Sequence, residues 1–364
     1  MTSLTYKYEI KGRRSKRLLR RYAWAANQVW NFCVQTQRKV QRNRREGGRG
    51  KWLSQYDLQT LTAGTSKALN VHAKTVQCVC EQFVKSRDLH RKCPRFRKSG
   101  GAKRSLGWVP FSVQSRQIDA SSVTYLGHTF RFFGAKRRPL PANAKGGTFI
   151  EDARGRWYVC FHVEVADDLP RAPDIAVGID LGLKTLATLS NGEKIEAPRA
   201  YRLWEAKLAI AQRANDRDRA KAINAHITNI RRDHMHKWTT DIVRRFRTIF
   251  IGDVSSSQLA KTRMAKSILD AGWSSSRNTL RYKASRHGGV AREVDESGSS
   301  QVCSSTGILP PERPRGIADL GVRAWWCSAC GEIHDRDVNA AQNILILGLS
   351  AQPLAEESRV AHGR

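Results

Sequence analysis

The segment 175–197 limits the fold more than any other stretch of this chain. It reads as three short strands, IAVGID, LATLS and KIEA, separated by turns, the second of them at Asn191-Gly192. A long basic helical region follows (203–248), then an apolar strand (TIFIGDV, 248–254), a helix (about 264–286) and a strand (VAREVD, 290–295). A cysteine-bearing loop (297–334) and a terminal helix (337–347) complete the pattern, and the tail 348–364 is expected to be mobile. Three strands first, then helix and strand in alternation, is the order of a layered α/β sheet.

The upstream half is built differently. Residues 4–10 (LTYKYEI) alternate as a strand, and 15–42 and 55–92 read as helices around the Gly/Arg-rich loop 43–51. Leu18, Leu19, Tyr22, Ala26, Val29, Trp30 and Cys33 fall at helical spacing, which predicts a buried face containing Trp30. The stretch 93–104 is a basic linker. From about 106 to 166 short β-rich runs (WVPFSV, SSVTYL, TFRFF, GTFIE, WYVCFHVEV) suggest a small barrel.

Charge then narrows the partner. The chain has 64 Lys+Arg against 32 Asp+Glu, a net +32, and residues 1–104 alone carry +21. An excess of this size favours a polyanion, because each cation placed on a phosphate releases condensed counterions. Trp24, Trp30, Trp52, Phe96 and Trp108 are interleaved with the charge and offer faces for base stacking, although several suit a core. The expected nucleic-acid-binding residues are Arg13, Arg14, Arg17, Arg20, Arg21, Arg95, Arg97, Lys98, Arg231, Arg232 and Lys266. A chain that is 40% hydrophobic can bury a core, which excludes a wholly disordered basic tail. It contains no run of 18 apolar residues and no apolar segment behind its N-terminal charges, so neither a membrane span nor a secretory signal is expected. The expected location is cytoplasmic, with the nucleoid.

Two places carry chemistry. Asp180 ends an apolar strand between Gly178 and Gly182, which leave room for a ligand's close approach; a strand-end turn is the alternative reading. The cluster His334-Asp335-Arg336-Asp337-Val338-Asn339 opens the last helix, where Asp335 or Asp337 could be an ordinary cap. Cys327 and Cys330 form a C-x-x-C in a chain without an export signal, which fits reduced thiols or a metal site better than disulfides. Cys33, Cys78, Cys80, Cys93 and Cys160 read as small core residues.

Taken together and in order, GIDLGLKTLATLSNG, NIRRDHMHKWTTDIV, KSILDAGW and CGEIHDRDVNAAQNIL resemble the TnpB family. These are transposon-encoded, compact RNA-guided DNA endonucleases related to the type V CRISPR effectors. The resemblance is strong over 175–347, and YAWAANQVWN and PRFRK extend it upstream. It implies an RNase H-like RuvC nuclease with a zinc-ribbon-like insertion, preceded by a β-barrel wedge domain that carries a helical recognition insertion. The implied boundaries are a wedge strand at 1–12, the helical recognition domain at 13–98 and the wedge barrel at 99–172. The nuclease then occupies 173–296, the target-nucleic-acid-binding insertion 297–334, the last nuclease helix 335–347 and the tail 348–364. Implied partners are a transposon-end guide RNA and double-stranded target DNA, bound by a monomer with one RNA, a dimer being the alternative. Asp180 matches the family's first catalytic Asp and Asp337, in D-x-N, the last; two Mg²⁺ ions, or Mn²⁺ in their place, are the implied cofactors.

This sequence departs from the family twice. Gly252 stands where the middle catalytic Glu belongs, and strand alternation aims Asp253 at the other face. Some branches resemble this chain in carrying the Glu downstream in a V-x-E-x-x-T-S-like segment, here Val294 to Ser300, which makes Glu296 the expected middle acid and Glu293 the reserve. The zinc ribbon needs two C-x-x-C pairs, but the first reads Cys303-Ser-Ser-Thr306. Cys303, Cys327 and Cys330 are thus expected to hold Zn²⁺ weakly or not at all, with water or, less favoured, His334 as fourth ligand. An RNA-guided endonuclease is the leading reading; a non-cutting RNA-guided repressor and a minimal type V CRISPR effector are the alternatives.

Overall fold

The computed structural model describes residues 2–45, 51–101, 103–112, 116–119, 121–144, 146–166, 169–253, 272–315, 319 and 321–351. The chain forms two compact units, residues 3–165 and the part from 166 onward.

In the first unit, strand β1 (Thr2–Glu9) leads into helix α1 (Arg13–Arg45), whose buried side carries Leu19, Tyr22, Ala26, Val29, Trp30 and Cys33, as the spacing predicts. The region 55–92 is not one helix but three, α2 (Gln55–Leu61), α3 (Thr65–Leu69) and α4 (Ala73–His90). Gly64 (φ 79°) and Asn70 (φ 51°) adopt left-handed backbone between them, which no continuous helix can include. Ser54 and Asp57 form a reciprocal capping box that starts α2.

The β-rich region folds as two open sheets, not the small barrel that its strand pattern suggests. One has the order β1-β7-β6-β2, with β2 at Trp108–Ser112, β6 at Gly146–Glu151 and β7 at Trp157–Val165. The other is β3-β4-β5 (Arg116–Asp119, Ser122–Tyr125, His128–Arg131). Ile10 joins them at a corner, donating to Trp157 O at 2.8 Å and bridging Phe132. Among the described residues β2 and β3 stay unpaired edges. Pro110 lies inside β2, and a strand with a missing N–H is confined to an edge. Phe149, Phe161, Phe130, Phe132, Tyr125 and Trp157 fill the space between the sheets and are essentially inaccessible.

The second unit holds a five-stranded sheet of order β10-β9-β8-β11-β12. Strands β8 (Ala176–Asp180), β9 (Thr185–Leu189) and β10 (Lys194–Glu196) form the antiparallel meander, and β11 (Thr248–Gly252) and β12 (Val290–Val294) add in parallel beside β8. The basic helical region is a hairpin of α5 (Ala200–Arg213) and α6 (Arg217–Arg245), broken at the left-handed Asn215. It has its own small core of Leu208, Ala211, Ile223 and Ile227. Helix α7 (Trp273–Arg286) precedes β12, and α8 (Arg336–Ser350) ends the described chain. No helix among the described residues is long and apolar enough to cross a membrane.

Strand parity assigns the two faces of this sheet. Val177, Ile179, Ile249 and Ile251 cluster with Trp238 and Ile242 of α6 and Trp273 and Leu280 of α7. The alternate positions Gly178, Phe250 and Gly252 meet α8, through Ala341 and Leu345, Gly348, and Ile344 respectively. Asp180 shares the parity of Gly178, so it lies on the side of the sheet that α8 covers.

Candidate active site and metal centre

Asp180 is the last residue of β8, beside parallel β11, at the strand end where ligand sites of α/β sheets form. Burial pushes its carboxyl up to about 7, the charge of Asp337 pushes the same way, and Arg336 opposes both. Asp337 sits in the first turn of α8. The capping there is done by Asp335, which accepts from the backbone N–H groups of Asp337 (3.1 Å) and Val338 (3.0 Å) and from Lys194 Nζ (2.6 Å). The Asp337 carboxylate is left to face Arg323 at 3.4 Å and to act on Asp180.

Glu296 reaches the same place from a loop. Strand β12 ends at Val294, paired with Gly252, and the backbone turns back with Asp253 N–H donating to Val294 O at 3.0 Å. A Cβ built on buried Gly252 would collide with Glu296 Oε2, with Glu296 Cδ and Ile344 Cδ1 each at 3.1 Å. The Glu296 carboxylate therefore fills the volume that a side chain at position 252 would take. Burial pushes it up to about 8, helped by the charges of Asp180 and Asp253 and opposed by Arg277. Its Oε2 is buried and accepts no hydrogen bond. Glu293 is elsewhere: it is exposed and pairs with Arg281 (2.7 Å) and Arg277 (3.5 Å).

Two of the carboxylates are thus raised by a neighbouring acid, Asp180 by Asp337 and Glu296 by Asp180. An acid whose oxygen is buried without a donor, next to like charge, fits a cation better than it fits any arrangement of the protein alone. Because the folded chain holds Asp180 and Glu296 protonated above the ordinary carboxylate range, their contribution to stability is full below pH of about 4. It is lost as pH rises through about 7 to 8. The protein without divalent cation is expected to lose melting temperature from pH 5.5 to 8.5, with Mg²⁺ restoring it at the upper end. Thermal unfolding across that range checks this, and an Asp180→Asn/Glu296→Gln chain should show a flatter profile.

The loop between Glu296 and the cysteines is clamped to α8. Asn339 and Asn343 both donate to Ser299 O and Val302 O, at 2.7–3.2 Å, and Asn339 Oδ1 accepts from Ser304 N–H at 2.8 Å. These two residues were not singled out as a pair from the sequence, although their spacing of four places them on one helix face. The clamp explains why a buried Asn follows the acidic start of α8.

Past the clamp, Cys303, Cys327, Cys330 and His334 converge, their ligand atoms all within 4.8 Å of one another. Among the described residues only this group of His, Cys, Asp and Glu meets that spacing. His334, the less favoured candidate from sequence, has Nε2 at 3.3 Å from both Cys303 Sγ and Cys330 Sγ. It projects from β14 (Ile333–Asp335), which pairs with β13 (Ala324–Trp326) and sets Trp325 opposite His334. Burial opposes a thiolate at Cys303, but hydrogen bonding from Thr306 and Ser305 outweighs it and lowers that thiol to about 6. Buried Cys33 and Cys80 approach to 3.9 Å in the helical core of the first unit.

In the first unit Arg13, Arg14, Arg17, Arg20 and Arg21 are exposed on the opening turns of α1. Arg17, Arg20, Arg21, Trp24 and Asn70 line a cleft of about 360 Å³, and Trp24 keeps 49% of its surface exposed. Trp30 is buried and donates to Arg95 O at 3.0 Å. Arg95 and Lys98 are exposed. Arg97 is bound internally: it donates to Asn27 Oδ1 (2.8 Å) and Leu106 O (2.7 Å), faces Trp108, and burial pushes it down to about 10. In the second unit Arg231 and Arg232 lie on α6, while Lys266 is outside the described residues.

Known proteins resemble this chain over parts of its length. Residues 160–263 match the OrfB_IS605 family, described as "Probable transposase", and residues 273–344 match the "Cas12f1-like, TNB domain". A Streptomyces pristinaespiralis protein named "Putative RNA-guided DNA endonuclease" is 39% identical over 238 residues, 61% of this chain and 58% of that protein. The "Putative RNA-guided DNA endonuclease InsQ" of Escherichia coli (strain K12) is 26% identical over 94% of this chain and 92% of its own length. A Cas12f1 chain from a cryo-EM complex with sgRNA and target DNA aligns over 95% of this chain and 99% of its own, at 14% identity and a TM-score of 0.35. The two family matches lie in consecutive parts of one chain, and over them the chain is similar to proteins named as RNA-guided DNA endonucleases, in line with its resemblance to the TnpB family.

Proposed function

We propose that this protein is a transposon-associated, RNA-guided DNA endonuclease that hydrolyses phosphodiester bonds at Asp180, Glu296 and Asp337. The observation that carries the reading is the Glu296 carboxylate lying in the volume above Gly252, on the face shared by Asp180 and α8. The names of the Streptomyces and Escherichia relatives support the activity, and the sheet order β10-β9-β8-β11-β12 supports an RNase H-like, RuvC-type nuclease.

Two bound Mg²⁺ ions, or Mn²⁺, supply a water nucleophile at neutral pH and charge stabilisation for the leaving 3′-oxygen. Asp180, coupled by charge to both Asp337 and Glu296, would hold the ions together with those two carboxylates. Arg323 and Arg336 keep the acid cluster from accumulating unbalanced charge before a cation arrives.

The exposed arginines of α1 track a guide–target duplex by its backbone, with Trp24 available to stack on an unpaired base. A monomer with one RNA, acting on chromosomal DNA, is the working assembly. The test is to sequence RNA that co-purifies with the protein and to programme cleavage from its 3′ segment. Mg²⁺-dependent cutting of the matching DNA is expected. A chain that binds the programmed DNA yet never cuts with Mg²⁺ or Mn²⁺ overturns this in favour of a repressor.

A further inference from the structure

Two loops around the cysteines are built alike. Gly307 N–H donates to Cys303 O and Gly331 N–H donates to Cys327 O, each at 2.8 Å, and both glycines are left-handed, at φ 74° and 73°. Each loop thus has a cysteine at its start and a glycine four residues on, a turn that L-residues with side chains rarely close. At the third position after the first cysteine one loop carries Cys330 and the other Thr306. The scaffold of a second thiolate pair survives although its thiol is gone.

A fourth donor arrives from outside both loops. For zinc, Zn–S of about 2.3 Å and Zn–N of about 2.0–2.1 Å place tetrahedral ligand atoms roughly 3.8 Å apart for S···S and roughly 3.6 Å for S···N. The corresponding separations are 3.7 Å for Cys303–Cys330 and 3.3 Å for His334 Nε2 to either sulfur. Three of the four groups are buried, as a structural site requires.

We infer that this chain binds one zinc ion through Cys303, Cys327, Cys330 and His334, with Thr306 outside the coordination sphere, and that this ion fixes the position of the acid-bearing segments. Thr306 instead hydrogen-bonds Cys303 and serves the sulfur as an outer partner. The choice of His334 has a mechanical result. Cys303 follows the loop that leaves Glu296 and is held by Asn339, while His334 immediately precedes the Asp335 cap and lies three residues before Asp337. One ion therefore ties together the two segments that deliver Glu296 and Asp337. This coupling rests on the carboxylate reading above; the ligand set does not.

The test uses the full chain with its co-purified RNA. Metal analysis should find one zinc per chain, and Co²⁺ exchanged for it should give the intense visible bands of a tetrahedral thiolate site. Thr306→Ala should leave both unchanged. His334→Ala should weaken metal retention by at least about tenfold, and Thr306→Cys added to it should restore the metal by completing the surviving scaffold. Loss of metal in Thr306→Ala, or retention in His334→Ala with unchanged Co²⁺ bands, overturns the ligand set. Circular dichroism on each variant separates ligand loss from failure to fold. For the coupling, Mn²⁺ binding followed by electron paramagnetic resonance should weaken in the His334→Ala chain and recover in the double variant. Equal Mn²⁺ affinity with and without zinc overturns the coupling and leaves the ligand set standing; Mn²⁺ binding in neither overturns the coupling along with the carboxylate reading.

Discussion

Exchanging Glu296 for Gln is expected to remove DNA cleavage while leaving RNA-programmed DNA binding intact. The change keeps the size of the side chain that fills the space over Gly252 and deletes only its charge. A direct cation ligand should matter more than an outer-shell partner, whose loss costs roughly 10–100-fold, so cleavage should fall below that range. Asp180→Asn and Asp337→Asn should each do the same, and combining them should add little, because ligands that act as one unit give non-additive losses. Glu293→Gln should cut normally, since Glu293 faces Arg281 and Arg277. Gly252→Ala tests the geometry without touching any acid: its Cβ must push the Glu296 carboxylate aside, and cleavage should drop. Single-turnover cleavage beside a gel-shift measurement reads both quantities. Full cutting by the Glu296→Gln chain would move the middle acid elsewhere.

The largest effect on stability is expected at Gly178. A Cβ there would strike the Ala341 carbonyl oxygen, with Leu345 N at 2.7 Å and Leu345 Cβ at 2.9 Å. Two of these neighbours are helix backbone and cannot rotate away, so Gly178→Val must lift α8 off β8. Overpacking of a tight interior costs about 1–3 kcal/mol and occasionally more, and this site belongs at the upper end. For a unit of this size about 3 kcal/mol lowers the melting temperature by roughly 6–12 °C. Gly321→Ala, with nothing within 4 Å, should stay close to the parent. Cleavage by Gly178→Val should fall even below its melting temperature, because the same shift parts Asp180 from Asp337. Calorimetry with a cleavage assay distinguishes the two effects, and an unchanged melting temperature refutes the packing argument.

Much of this arrangement was legible in the residues. The meander 175–197 and the alternation after it gave the sheet, since apolar period and turns act over a few residues. Asp180 stood out as an acid ending an apolar strand, whereas Asp337, in a first helical turn where acids are ordinary, was set apart by the resemblance. The barrel was not legible. Strand runs reveal neither which edges pair nor the consequence of one proline, and Pro110 leaves β2 at an edge. The single helix expected over 55–92 failed because Gly64 and Asn70, residue types that end helices, take left-handed backbone inside the apolar pattern. His334 was the less favoured fourth donor in the sequence, and the structure sets its Nε2 at 3.3 Å from two of the sulfurs. The β13–β14 pairing that carries an imidazole to the sulfurs is a contact between segments, which sequence spacing does not encode.

The occupied volume over Gly252 also constrains how such a chain could have come into being. An acid on the strand at 252 and an acid on the loop at 296 claim the same space, so a protein carrying both is crowded and doubly charged there. Single substitutions leading from one arrangement to the other must pass either through that strained form or through one with neither acid. The second relieves both the collision and the repulsion. Gly252 and Glu296 are thus two halves of one choice: the strand gives up its side chain where the loop supplies the acid.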